Sequence, residues 1–127
     1  MVGDVPAASS LPTGTVTFLF TDIESSTRLW EEQGDAMGAA LAQHDALLRD
    51  AVEGAGGHVI KTTGDGIHAV FASPSGAVTA AVNGQLALER GEWGPTGALR
   101  VRMGVHTGNA EAPTATTSGR PSTAPRG

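Results

Sequence analysis

The sequence predicts an α+β fold in which four strands and two long helices follow one another in the order β-α-β-β-α-β. Three observations support this prediction. Four stretches are rich in β-branched or alternating apolar residues, two stretches carry apolar residues at helical spacing, and an Asp-Gly turn joins the middle two strands. The chain has 127 residues, the usual size of one domain, so these elements are expected to share a single core.

The first strand is predicted over residues 15–21, where β-branched and aromatic residues suit a strand that is largely covered on both faces. The strand ends at Asp22. Residues 25–27 then offer Ser and Thr N-caps to a short helix through Trp30. A separate long helix is predicted over residues 35–53, where apolar residues recur every three or four positions before a glycine-rich stop.

Two β-rich runs follow, at residues 59–63 and 67–71. Gly64-Asp65-Gly66 lies between them, and Asp-Gly between two such runs is a strong local signal for a hairpin. The two strands are therefore expected to pair antiparallel.

The second long helix is predicted to begin at Ser73 and Pro74, an N-cap followed by a proline at the first helical position, and to end at Gly91. The last strand is predicted over residues 99–106, where apolar residues alternate with polar residues or glycine. The complete order is that of a ferredoxin-like split β-α-β fold with both helices on one face of the sheet. The other face is then left to solvent or to a partner, which makes a dimer plausible.

The two ends of the chain differ in composition from its centre. Residues 1–14 are small and polar and contain two prolines, so they are expected to form a flexible lead-in. Residues 112–127 contain only Ala, Pro, Thr, Ser, Gly and Arg, and are expected to form a disordered tail. The folded domain is therefore predicted over residues 15–111.

Composition excludes several classes of function. The formal net charge is −5 and no basic cluster stands out, which argues against a nucleic-acid partner. The absence of cysteine excludes disulfides and thiolate metal sites, so a metal site must use oxygen or imidazole ligands. The sequence has no signal peptide and no apolar run of membrane-spanning length, so we expect a cytoplasmic protein without a membrane partner.

Two carboxylates are the strongest candidates for chemistry. Asp22 follows the first strand and Asp65 lies at the hairpin tip, so neighbouring strands can bring both to one end of the sheet. Two carboxylates suit Mg²⁺, which also takes water and substrate phosphate oxygens as ligands. Each aspartate also has an ordinary structural role available, since Asp22 suits a turn or a helix cap and Asp65 suits the hairpin turn.

The segment after the first strand favours an anion. Residues 24–27 open a helix whose first N–H groups have no partner within the helix, and this arrangement suits terminal phosphates. Lys61, the only lysine, is also typical of a solvated edge residue. His106 is interpreted as structural, and Arg100 and Arg102 as solvated or interface residues.

Three motifs stand out from the rest of the sequence. They are GTVTFLFTDIESST at residues 14–27, KTTGDG at residues 61–66 and RVRMGVHTG at residues 100–108. Together they resemble the two metal motifs and the following strand of the class III adenylyl/guanylyl cyclase catalytic domain, over residues 14–111. The resemblance implies that family's fold and the conversion of ATP to cyclic AMP and pyrophosphate in cyclic-nucleotide signalling.

The resemblance also implies site residues and cofactors. Asp22 and Asp65 would bind two Mg²⁺ or Mn²⁺ ions, with the backbone carbonyl of Ile23 as a further ligand. Lys61 would select adenine across a dimer interface, because an ammonium donates to a ring nitrogen that is an acceptor in adenine and a donor in guanine. The residues implied to contact the substrate are Glu24, Ser25, Ser26, Thr27, Lys61 and Gly64.

After Glu111 the sequence departs from the family pattern, because the dimerisation hairpin and the Asn and Arg that stabilise the transition state do not follow. No catalytic residue of that kind is assigned, and the domain is expected to be incomplete at its C-terminus. Two functions stay open. The chain is an adenylate cyclase-like enzyme that acts as a homodimer, or it is an incomplete domain that binds nucleotide, regulates, or pairs with a complete cyclase domain. Another two-metal nucleotidyl transferase is a third possibility.

Overall fold

The computed structural model describes residues 11–110, which contain four strands and two helices. In chain order the elements are β1 (Gly14–Ile23), α1 (Ser26–Gly54), β2 (His58–Thr62), β3 (Ile67–Phe71), α2 (Pro74–Arg90) and β4 (Val101–Ala110). The predicted order β-α-β-β-α-β is confirmed. The predicted tail at residues 112–127, and the predicted lead-in up to residue 10, lie outside the described residues.

The four strands form one antiparallel sheet in the order β2-β3-β1-β4. β1 lies inside the sheet, and all ten of its residues pair with β4 on one side. β3 pairs with its middle part on the other side, and the predicted hairpin of β2 and β3 is present. With both helices packed on one face, this is the ferredoxin-like arrangement that the sequence predicts.

The core lies between the helices and the sheet in two adjoining clusters. One contains Met37 and Leu48 of α1 with Ile23 of β1, and the other contains Leu19 of β1 and Phe71 of β3. α2 contributes mainly small buried residues, namely Ala77, Ala80 and Gly84 with Leu88. Small residues let the helix lie close to the sheet. Packing of α2 on the sheet therefore holds it against the strands that end at the candidate site.

α1 differs from the prediction, because one helix takes the place of two. It runs from Ser26 to Gly54, and within it Gln33 has non-helical angles of φ −133° and ψ 35°. The predicted gap between a short and a long helix is therefore a kink. Gln33 precedes Gly34, whose conformational freedom weakens a helix without ending it. Neither helix within residues 11–110 combines the length and the apolarity needed to cross a membrane.

The sheet face opposite the helices is only partly covered, since Val16 and Val70 are buried there, at 1% and 3% exposed. Phe20 is 38% exposed there, and its ring meets His68 edge-on with 4.9 Å between ring centroids. Since both helices pack on the other face, the prediction that β1 is largely covered on both faces holds at Val16 on this side but not at Phe20. We call this side the open face, and the strand registers put Phe18, Phe20, Asp22, His68 and Arg102 on it.

The predicted bounds of the last two elements are confirmed for α2 and shifted for β4. Ser73 Oγ accepts from the Gly76 N–H at 3.4 Å, and Gly91 follows the last helical residue. β4 begins at Val101 and continues to Ala110, beyond the predicted end at residue 106. The extension follows from pairing, because β1 offers a partner to each residue of β4 whatever its polarity.

Candidate functional site

The hairpin loop between β2 and β3 is hydrogen-bonded to the end of β1. The Ile67 N–H donates to Thr21 Oγ1 at 2.9 Å, and the Ile23 N–H donates to the Asp65 carbonyl oxygen at 2.9 Å. Gly66 lies against the Thr21 carbonyl with no room for a side chain. These contacts hold the loop at the end of β1, so the two candidate aspartates converge at one end of the sheet, as the sequence predicts.

The Asp65 carboxylate is oriented by two hydroxyl groups. Ser26 Oγ donates to Oδ2 at 3.1 Å, and Thr63 Oγ1 makes a longer contact with Oδ1 at 3.5 Å. Ser25 is the N-cap residue of α1, with left-handed angles of φ 61° and ψ 32°, and its side chain makes no capping hydrogen bond. The prediction of a serine side-chain cap is therefore wrong at Ser25. The hydroxyl of Ser26 connects the start of α1 to the candidate ligand instead.

Asp22 is paired with Arg102, the residue directly opposite it on β4. Arg102 Nε donates to Oδ1 at 2.9 Å and Nη2 donates to Oδ2 at 2.9 Å, so one guanidinium bonds both carboxylate oxygens. The side chains remain accessible, with 46% of Asp22 and 64% of Arg102 exposed. Arg102 is solvent-accessible, as interpreted from the sequence, and it also neutralises the first candidate metal ligand, a contact that the sequence does not indicate.

Electrostatic effects show that several acidic groups surround the end of β1. The hydrogen bond from Arg102 holds the pKa of Asp22 below its ordinary value. The pKa of Arg102 is raised by its hydrogen bond to Asp22 and by the charge of that carboxylate, and the charges of Glu24 and Asp65 raise it further. One guanidinium therefore interacts with three carboxylates, two of which are the predicted metal ligands.

The pair predicts a measurable change in titration. In Arg102→Gln the Asp22 carboxylate loses its charged donor, so its pKa is expected to rise toward that of an isolated aspartate. Because the folded pKa is depressed, the pair stabilises the fold above the unfolded pKa, and that contribution is lost as pH falls through the folded pKa. NMR titration of the Asp22 carboxyl carbon in both proteins measures the shift, and equal midpoints would contradict the prediction.

The segment between β1 and α1 exposes backbone donors. The Glu24 N–H donates to the Arg100 carbonyl at 2.7 Å, and the first helical hydrogen bond runs from the Leu29 N–H to the Ser25 carbonyl at 3.0 Å. The N–H groups of residues 26–28 consequently have no acceptor within the helix. This segment can bind phosphate oxygens, and it adjoins the carboxylates.

Lys61 and Gly64 are not joined to the acidic pair by any side-chain contact in the described residues. Lys61 is exposed on edge strand β2, opposite His68 across a bulge, and it forms no ion pair within residues 11–110. Gly64 is exposed, and a Cβ there would meet nothing within 4 Å. Their contacts with a substrate stay predictions.

The residues at the end of β1 fit a divalent metal that brings further ligands with it. The candidate donors are all oxygens, from Asp22, Asp65 and the Ile23 carbonyl. Residues 11–110 hold no group of three or more acidic, histidine or cysteine side chains that could bind a metal ion. Mg²⁺ and Mn²⁺ suit such a site, because one or two carboxylates, water and phosphate oxygens complete their coordination. In this structure the Asp22 carboxylate is paired with Arg102.

Comparison with known proteins agrees with this geometry. The family described as Adenylate and Guanylate cyclase catalytic domain matches residues 9–118. The chain belongs to this family. An adenylate cyclase of Lachancea kluyveri is 42% identical to this cyclase domain over 82 residues, which are 65% of this chain and 4% of that protein. A receptor-type adenylate cyclase of Trypanosoma brucei brucei is 41% identical over 90 residues, 71% of this chain and 7% of that protein.

Solved structures of cyclases have the same fold. A structure of a Trypanosoma brucei adenylate cyclase in its monomeric state matches with a TM-score of 0.73 and 31% identity. The match covers 86% of this chain and 62% of that chain. The catalytic core of a rhodopsin-guanylyl cyclase, at 21% identity and a TM-score of 0.68, shares the fold. This cyclase domain thus spans less than two thirds of the trypanosome structure and a small part of the matched full-length cyclases.

Proposed function

We propose that this cyclase domain binds ATP with two Mg²⁺ or Mn²⁺ ions at Asp22 and Asp65, and forms cyclic AMP and pyrophosphate. The observation that carries the proposal is the hydrogen bond from the Ile23 N–H to the Asp65 carbonyl at 2.9 Å, which closes the Asp65 loop onto the end of β1. In the reaction the ribose 3′-oxygen bonds to the α-phosphorus and loses its proton. The bond from that phosphorus to the oxygen bridging to the β-phosphate breaks, and pyrophosphate leaves.

Each residue around the carboxylates has a defined part in this proposal. Asp22, Asp65 and the Ile23 carbonyl would hold the metal. Two divalent ions held there would supply the charge that lowers the pKa of the attacking hydroxyl and neutralises the leaving pyrophosphate. Ser26 orients Asp65 by donating to its Oδ2 at 3.1 Å. The N–H groups of residues 26–28 at the start of α1 would bind phosphate oxygens.

Lys61 supports ATP as the substrate. It lies on the edge strand β2 and forms no ion pair within residues 11–110, so its ammonium is available to a base held by a second subunit. A donor at this position favours the acceptor nitrogen of adenine over guanine. We propose that activity needs a homodimer, or a heterodimer with a complete cyclase domain.

A second candidate function is nucleotide binding without turnover. It is favoured by coverage, because the chain matches 62% of the trypanosome cyclase structure, and the Asn and Arg of the family pattern belong to the part of the domain after the matched region. The loss of one preorganised charge-stabilising donor typically slows a reaction by about 10²–10³-fold. In this case a complete cyclase domain would supply the missing groups across a dimer interface.

Product analysis separates these functions. The purified chain is incubated with ATP and excess Mn²⁺, with GTP in a parallel reaction and Asp22→Ala as the blank. Cyclic AMP that disappears in the variant supports the enzyme. A folded chain that binds Mn²⁺ and ATP but makes no product supports binding without turnover, whereas linear dinucleotides would indicate another two-metal transferase. Absence of metal-dependent nucleotide binding would contradict both proposals.

A further inference from the structure

We propose that Arg102 is a removable counter-ion of the metal site, which holds Asp22 while no metal is bound and has to leave before a divalent ion can use that carboxylate. This inference rests on the proposed function, because it takes Asp22 as a metal ligand. The position of the Arg102 side chain would then set how tightly the domain binds metal.

The first support is the geometry of the pair. Arg102 Nε and Nη2 each lie 2.9 Å from a different oxygen of Asp22, so the planar fork of the guanidinium uses both oxygens. Each of those oxygens keeps a further lone pair, so the competition between arginine and metal is electrostatic. A dication held there would lie within a few ångströms of a full positive charge, and the repulsion is strong at that range. Metal and arginine therefore compete for Asp22.

The second support is that Arg102 has room to leave. Its side chain is 64% exposed. It lines an open cleft of about 460 Å³ beside Phe20 and His68, on the same sheet face as Asp22. The guanidinium can turn into this cleft without displacing the core. The backbone of β4 stays in place, because it is paired with β1 along ten residues.

The size of the effect follows from competition. If the pair is closed in a large fraction of molecules, the apparent metal affinity equals the affinity of the open form multiplied by the open fraction. A pair closed in about 70–90% of molecules lowers the affinity by about three- to tenfold, in keeping with the modest strength of exposed ion pairs. The effect is equal for Mg²⁺ and Mn²⁺, since the arginine leaves before either ion binds.

Arg100 offers a matched control. It lies two residues before Arg102, and its loss changes the net charge by the same amount. Its Nε is 3.5 Å from Glu24 Oε1 in a single contact, and its side chain is 85% exposed. Arg100→Gln therefore measures the general effect of removing a positive charge near the site. The excess effect of Arg102→Gln over Arg100→Gln is the part that comes from competition for Asp22.

The experiment measures Mn²⁺ binding to the full chain by the electron paramagnetic resonance signal of free Mn²⁺, without nucleotide. We expect Arg102→Gln to bind Mn²⁺ about three- to tenfold more tightly than the wild type, and Arg100→Gln to change affinity by less than about twofold. Equal affinities in the two arginine variants would overturn the inference. If Asp22→Asn binds Mn²⁺ as tightly as the wild type does, the proposed function is overturned instead, because the metal would not use Asp22.

A second measurement on the wild-type chain keeps the inference testable if a variant fails to fold. The Arg102 Nε–H group gives its own NMR signal, which is sensitive to the hydrogen bond to Asp22 Oδ1. Titration with diamagnetic Mg²⁺ is expected to shift this signal in step with metal binding, while the Arg100 signal moves little. An Arg102 signal that stays in place at saturating Mg²⁺ would overturn the inference.

Discussion

Replacement of Gly66 by alanine is expected to lower the free energy of unfolding by about 1–3 kcal/mol, the usual range for an added group in a well-packed position. A Cβ at this position would overlap the carbonyl oxygen of Thr21 and would lie 3.3 Å from the Asp22 Cα. Both are backbone atoms of β1, which lies inside the sheet between β3 and β4. The strand cannot move aside as the end of a flexible side chain can, so the hairpin loop has to move.

Movement of this loop is expected to weaken the site as well as the fold. The hydrogen bond from the Ile23 N–H to the Asp65 carbonyl holds the loop against β1, and displacement of Gly66 breaks or lengthens it. The aspartates then no longer converge, so Mn²⁺ affinity falls together with stability.

Gly64→Ala is the control for this prediction, since it adds the same methyl group to the same loop where nothing lies within 4 Å. Urea unfolding of the three proteins, followed by circular dichroism, measures the difference. The expected result is a lower midpoint for Gly66→Ala and a midpoint near wild type for Gly64→Ala. Equal midpoints for the two variants would show that the close approach to Thr21 does not restrict this position.

The hairpin and its aspartate could be predicted from the sequence because the signals are local. The turn residues around Asp65 lie between two β-rich runs, and strand pairing then follows from turn geometry. The second helix was predictable for the same reason, since Ser73 and Pro74 mark its start within two residues. Predictions of this kind depend on neighbours in the chain, and the structure agrees with them.

The role of Arg102 could not be predicted, because it depends on strand register. Asp22 and Arg102 are 80 positions apart, and neither segment indicates which arginine of the last strand lies opposite the aspartate. A shift of two residues would put Arg100 in that place with the same apolar pattern. The available signal was the pairing of an acid at the end of one strand with arginines on another. It indicates an ion pair without identifying its members.

Side-chain choices at the start of α1 were also beyond sequence analysis. Ser25 and Ser26 are equally good N-caps by type. The tertiary contact decides between roles, because the Asp65 carboxylate lies within 3.1 Å of Ser26 Oγ and takes its hydrogen bond. The burial of β1 could not be predicted fully for a related reason. An apolar strand indicates that its residues avoid water, but it does not indicate which face of the strand the helices cover.

Replacement of either aspartate by asparagine is expected to remove most Mn²⁺-dependent binding of ATP. Asparagine keeps the size of the side chain and one oxygen acceptor, but loses the charge that a divalent ion needs. Changes to the groups that merely support metal ligands cost about 10–100-fold in affinity, so loss of a ligand charge is expected to cost at least about tenfold. Calorimetric titration of ATP in the presence of Mn²⁺, and again with a chelator, measures the metal-dependent part.

The two variants are expected to differ in what they do to the surrounding side chains. In Asp65→Asn the amide oxygen can still accept from Ser26, so the start of α1 stays in place. In Asp22→Asn the guanidinium of Arg102 loses its charged partner and is released into the cleft beside Phe20 and His68. The Arg102 Nε–H signal should therefore change in Asp22→Asn and remain near its wild-type position in Asp65→Asn.

Asp50→Asn serves as the control, because it makes the same change of charge at an exposed position on α1 that has no ion pair among the described residues. ATP binding that survives in Asp22→Asn but is lost in Asp65→Asn would leave a site built on the hairpin loop alone. Arg102 would then be a permanent structural partner of Asp22 rather than a competitor of the metal. If both variants lose Mn²⁺-dependent ATP binding and Asp50→Asn keeps it, then binding depends on both carboxylates at the end of β1.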